Sequence, residues 1–84
     1  MSASYGWRPV APPTDETIGL TLAGLIAERL GISRMDLTGT RLSRGHLAWL
    51  EGVAAGATGE LAEDASGLIS AIQQHDTIEM IVSY

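Results

Sequence analysis

The chain contains no cysteine, and all five of its basic residues are arginines, so it also lacks lysine. The absence of cysteine excludes disulfide bonds, thiolate metal sites and thiol nucleophiles. No apolar run approaches the roughly 20 residues that span a bilayer, and the first residues lack the basic start and apolar run of a secretory signal. We therefore expect a soluble, cytoplasmic protein with no membrane contact.

Histidine is also scarce. His46 and His75 are the only histidines, and neither has the spacing of a metal-ligand set or of a nucleophile with its base. Glu63 and Asp64 are adjacent carboxylates, but neighbouring residues in a helix do not face each other. We expect no catalytic, cofactor-binding or metal-binding residues, and therefore a protein that is not an enzyme.

The 84 residues suffice for one domain with a thin core, and the charge is unevenly placed along them. Every basic residue precedes position 45, where the balance is +1, whereas the part that follows carries six acidic residues and a charge of −6, which together give the formal net charge of −5. These acidic residues are Glu51, Glu60, Glu63, Asp64, Asp76 and Glu79. Such a set usually forms a solvated surface, but it could imitate DNA if all six lay together.

Residues 77–84 predict a β-strand. Apolar and polar side chains alternate along this segment, and only Ile81 breaks the pattern. One predicted face carries Ile78, Met80, Val82 and Tyr84. A strand needs partners for its backbone, and the internal candidates are residues 5–8 and 35–38, both short and close to Gly or Pro. We therefore expect an edge that stays partly open to a second copy of the chain or to a partner's strand.

Three helices are predicted before this strand. The first has Thr14 as its N-cap and ends at Gly31, the second begins at Ser43, and the third runs from Thr58 to His75. In the second, Ala48, Gly52 and Gly56 recur every four residues, a spacing that permits close approach of another backbone. The sequence thus predicts an α+β fold with three helices packed on a small β-sheet that includes the C-terminal strand. Residues 14–84 would form the compact domain, and residues 1–13 an N-terminal arm.

Three segments resemble small uncharacterised proteins of actinobacteriophages and actinobacteria. They are Leu-Glu-Gly-Val-Ala-Ala-Gly at 50–56, Leu-Ile-Ser-Ala-Ile-Gln-Gln-His at 68–75, and the terminal Ile-Glu-Met-Ile-Val-Ser-Tyr. The resemblance covers residues 42–84, and the chain departs from the pattern at Asp76, where those proteins tend to have glycine. It implies a fold and a phage or actinobacterial setting, and no established activity.

The aromatic residues are the best candidates for binding. Tryptophan and tyrosine are favoured as interface anchors because they combine a large apolar area with one polar atom. The candidate protein-binding residues are these aromatics together with the apolar face of the terminal strand: Tyr5, Trp7, Trp49, Ile78, Met80, Val82 and Tyr84. We therefore predict a non-enzymatic accessory protein that binds and modulates another protein, in a phage setting a host protein.

Two alternatives remain. Residues 27–33 have the alanine, glycine and following apolar residue of a helix-turn-helix, in which Arg34, Arg41 and Arg44 would contact phosphates. Gly39 would interrupt its recognition helix, and the net charge opposes DNA binding. The other alternative is the acidic DNA mimic.

Overall fold

The computed structural model describes residues 3–10 and 16–83. Within them, four antiparallel strands form one sheet in the order β2-β1-β4-β3, with three helices. The strands are β1 (Ser4–Pro9), β2 (Glu16–Ile18), β3 (Arg41–Ser43) and β4 (Thr77–Ser83). The helices are α1 (Leu20–Leu30), α2 (Leu47–Gly56) and α3 (Gly59–His75), with single 3₁₀ turns at Arg34–Asp36 and Arg44–His46. The predicted α+β fold, with the C-terminal strand in the sheet, is confirmed.

The C-terminal strand lies in the interior of the sheet. β1 pairs with it from Ser4↔Ser83 to Pro9↔Ile78, and β3 pairs with it on the other side. Beyond β3, the backbone of Met80 accepts from the N–H of Gly39 and donates to the carbonyl of Thr40. The prediction of an open edge on β4 is therefore wrong, because the same chain occupies both of its sides.

One of the two predicted strand partners is correct. Residues 5–8 lie within β1, so this part of the predicted arm is built into the sheet. Residues 35–38 do not form a strand. The side chain of Ser33 accepts a hydrogen bond from the N–H of Met35 at 3.1 Å, which favours a 3₁₀ turn at Arg34–Asp36. The second partner is β3 instead.

The first helix begins later than predicted. Glu16 and Ile18, expected in its first turns, belong to β2, and the predicted cap Thr14 lies outside the described residues. Its end is confirmed: Gly31 adopts the left-handed conformation at φ 73°. The N–H groups of Gly31 and Ile32 donate to the carbonyls of Glu28 and Ala27, the pair of bonds that closes a Schellman motif.

The other two helices begin and end close to the predicted residues. Ser43 is confirmed as a cap, although it caps the 3₁₀ turn that leads into α2, and the Nδ1 atom of His46 accepts from the Ser43 N–H at 3.2 Å. Thr58 precedes α3, which ends at His75. Asp76 then turns the chain into β4 with φ 67°, in the left-handed region that non-glycine residues seldom adopt.

The core lies between one face of the sheet and the helices. Cross-strand pairing places Leu42, Ile78 and Pro9 in one row and Tyr5, Val82 and Ile18 in another, all on the same face. The helices bury apolar side chains against this face, namely Leu22, Ile26, Leu50, Leu68 and Ile72. The opposite face carries Arg8, Glu79, Arg41, Ile81 and Thr17, none of which joins the core.

Candidate protein-interaction surfaces

The predicted binding residues separate into core and surface positions. Tyr5, Ile78 and Met80 are 6%, 0% and 0% exposed, so their assignment to a contact surface is wrong; they hold the domain together. Val82 is half-buried and packs against the same core, and Tyr84 lies outside the described residues. Trp7 and Trp49, like Val82, pack against the core with one side and stay partly exposed.

Trp49 lies in a shallow groove of about 340 Å³ between α1 and α2. The groove is lined by Leu25, Glu28, Arg29 and Trp49. The guanidinium carbon of Arg29 lies 5.8 Å from the centre of the Trp49 ring, within the range of a cation–π contact. Arg29 thereby holds the ring against α1 while part of the ring stays open to solvent. The sequence identifies Trp49 as a binding candidate, but gives no sign of its contact with α1.

The outward side of α2 adjoins this groove. Ala48, Gly52, Ala55 and Gly56 are all exposed on it, and helical spacing places Gly52 and Gly56 next to Trp49. A β-carbon added at Gly52 or Gly56 would meet nothing within 4 Å. The close helix contact that the four-residue spacing predicts is therefore not made by the described chain. We call the Trp49 groove and this outward side of α2 the Trp49 face.

Trp7 lies in a second groove, of about 260 Å³, between β2 and α3. Its lining residues are Trp7, Glu16, Thr17, Ile18, Glu63, Asp64 and Gly67. Strand pairing places Trp7 directly opposite Glu16, so the ring and this carboxylate share one side of the sheet. Glu63 and Asp64 approach from α3. We call this the Trp7 groove; sequence reasoning missed it because it assigned Glu16 to a helix.

The three arginines of the helix-turn-helix alternative do not lie on a recognition helix. Arg34 is in a single 3₁₀ turn and Arg41 is in β3. Arg44 is engaged within the chain: its Nε donates to the Asp76 carboxylate at 2.6 Å, and its Nη2 donates to the Gln73 carbonyl. The predicted recognition helix is therefore wrong, because the segment that should contain it forms a turn and a strand.

The six acidic residues of the second half do not form one surface. Glu51 lies on α2, Asp76 is paired with Arg44, and Glu79 lies between Arg8 and Arg41 in the strand register, on the sheet face away from the helices. The other three, Glu60, Glu63 and Asp64, lie on α3. The DNA-mimic alternative requires all six residues to lie together, and the structure does not meet this requirement.

The side chains best suited to metal binding or acid–base catalysis are the two histidines, and both lie at the ends of helical segments. His46 completes the cap with Ser43, and His75 lies in the last turn of α3, where a cation is favourable. Within residues 3–10 and 16–83, no three side chains of His, Asp or Glu are grouped to hold a metal ion.

In the same part of the chain, no helix is long and apolar enough to cross a bilayer.

No family model, curated protein or solved structure matches the chain. The Trp49 face and the Trp7 groove are therefore interpreted from their geometry alone.

Proposed function

We propose that this chain is a small, non-enzymatic interaction protein whose Trp49 face binds another protein and modulates it. The observation that carries this proposal is the composition of α2. Glu51 is its only charged residue, and its exposed side otherwise presents alanine and glycine. A helix that faces water usually carries polar residues there, whereas a helix that is apolar all round is usually covered. A bound partner protein would cover the exposed side of α2.

The side chains beside this exposed, alanine- and glycine-rich side of α2 are suited to contact with another protein. Tryptophan and arginine are among the residues most often found at the energetic centres of interfaces. Trp49 is already held by the core and by Arg29, so binding would cost it little conformational entropy. The small residues beside it allow a partner's backbone or side chains to approach α2 closely.

The phage or actinobacterial setting implied by the sequence resemblance gives this proposal its concrete form. In that setting the partner would be a host protein whose activity changes when the Trp49 face covers part of it. The resemblance supports this choice because it includes residues 50–56, which lie on α2 and contain Gly52, Ala55 and Gly56 of its Trp49 face.

A matched pair of variants tests the proposal. Gly52→Arg adds a long side chain to α2 where a β-carbon would meet nothing within 4 Å, and Gln74→Arg replaces one long exposed side chain of α3 with another, so both variants should fold. Each variant and the wild type would be used to capture proteins from an actinobacterial host lysate. We expect a protein retained by the wild type and by Gln74→Arg but lost with Gly52→Arg. Equal retention by both variants, or no specific protein at all, would contradict the proposal.

A further inference from the structure

The Trp7 groove is a second surface, separate from the Trp49 face. We infer that it binds an extended segment of a partner protein that carries lysine or arginine, and that this segment adds to the sheet along the free edge of β2. The inference does not depend on the proposed function, because it uses other residues and a different mode of recognition.

The free strand edge supplies the backbone part of this site. β2 is the outermost strand of the sheet, and within the described residues it pairs with β1 alone. Its other side therefore offers backbone groups to an added strand. Because β2 has only three residues, an added strand can form only a few backbone hydrogen bonds. Side chains must provide most of the affinity and the specificity.

The side chains beside this edge are suited to a cation. The partly exposed ring of Trp7 and the carboxylate of Glu16 are cross-strand neighbours, and Glu63 and Asp64 form the facing wall. An ammonium or guanidinium group placed between them would gain a cation–π contact with the ring and charge-assisted hydrogen bonds to the carboxylates. Asp64 already accepts a hydrogen bond from the N–H of Gly19, but within residues 3–10 and 16–83 no ion pair neutralises any of these three carboxylates.

The same arrangement disfavours other occupants. An acidic segment would meet like charges on both walls, and a neutral one would leave the carboxylates without a counter-charge. A free metal ion is not favoured, because the described residues contain no group of three ligating side chains placed to hold one. Gly67 leaves the α3 wall open beside the acidic pair, which gives a long basic side chain room to enter.

The test is a titration of the full-length ¹⁵N-labelled protein, followed by NMR, with peptides of about seven residues. The basic probe alternates threonine and lysine, and the control probe has glutamine in place of lysine. We expect the basic probe to shift the backbone amides of residues 16–18 and the indole N–H of Trp7, with weaker binding at higher salt. The control probe should cause at most one-tenth of these shifts. A probe with a central proline should bind more weakly, because proline removes a backbone donor.

Matched charge variants locate the site. Glu16→Gln with Glu63→Gln should weaken binding of the basic probe about fivefold or more, whereas Glu51→Gln on α2 should leave it unchanged. The inference would be overturned if the basic probe caused no shifts at millimolar concentration, if the control probe caused equal ones, or if the shifts lay elsewhere. Shifts that appear on concentrating the protein without peptide would assign the β2 edge to a second copy and would equally overturn it.

Discussion

The carboxylate of Asp64, in the second turn of α3, accepts a hydrogen bond from the backbone N–H of Gly19 at 2.8 Å. Gly19 immediately precedes α1 and has no side chain with which to cap it. A β-carbon at this position would require the flexible, exposed side chain of Glu60 to move aside. The start of α1 is thus fixed by a residue 45 positions later in the chain, whose negative charge also suits the positive end of the helix dipole.

Replacing Asp64 with alanine should therefore destabilise the protein. The N–H of Gly19 would lose its acceptor, and we expect the free energy of unfolding to fall by about 1 kcal/mol, measured by urea denaturation. Glu63→Ala is the matched control, since Glu63 is exposed and makes no hydrogen bond within the described residues. Equal losses in the two variants would show that the contact with Gly19 contributes nothing.

Gly6→Ala should also destabilise the protein, for a steric reason. A β-carbon on Gly6 would overlap the backbone carbonyl of Glu16 in the neighbouring strand, so β2 would have to move. We expect a loss of about 1–3 kcal/mol in thermal or urea unfolding. Ser4→Ala in the same strand is exposed and should be nearly neutral. An unchanged stability in Gly6→Ala would mean that β2 does not lie as close to β1 as described.

The same substitution should have opposite effects at two other glycines. Gly31→Ala places a side chain in the left-handed conformation at φ 73°, and should cost about 1 kcal/mol. Gly52→Ala lies within α2 with open space around it, and should stabilise the protein by about 0.5–1 kcal/mol through helix propensity. Unfolding midpoints of the two variants that move in the same direction would contradict these backbone assignments.

Two isoleucines in β4 test the register of the central strand. Ile78 is fully buried against the helices, so Ile78→Ala should lower the free energy of unfolding by about 2–5 kcal/mol. Ile81 lies on the opposite face, paired with Gly6 and half-buried, so Ile81→Ala should cost far less. A strand shifted by one residue would reverse the order of the two losses in denaturant titrations.

Local signals were enough to predict the second half of the fold. Ser43 and Thr58 stand where the structure begins a helical segment, and the alternation over residues 77–83 correctly places Ile78 and Met80 on the same face of a strand. These features depend on residues close together in the chain. Capping and side-chain periodicity express them directly in the sequence.

The short strands could not be predicted in the same way. β2 and β3 have three residues each, too few for a period to appear. β2 pairs with the preceding strand β1, whereas the partner of β3 is the distant strand β4. Glu16 was assigned to a helix because an acidic residue suits a helix N-terminus. The pairing of β3 with β4 is also what closes the edge that the sequence left open.

The candidate surfaces depend on the same long-range contacts. The sequence identifies Trp7 and Trp49 as binding candidates, but the contact of Trp49 with Arg29 joins two helices, and the acidic walls around Trp7 come from β2 and α3. Composition alone also did not distinguish buried aromatic and apolar residues from accessible ones, which is why Tyr5 and Met80 were assigned to a contact surface.

The most direct test of the proposed function is site-specific photo-crosslinking in host cells. A benzophenone amino acid would replace Gly52 on the Trp49 face, where there is open space for the larger side chain, and, as a matched control, the exposed Gln74 on α3. We predict that the probe at position 52 forms an adduct of one defined mass with a host protein, and that the probe at position 74 does not form this adduct. No adduct at position 52, the same adduct from both positions, or an adduct only with a second copy of the chain would contradict the account.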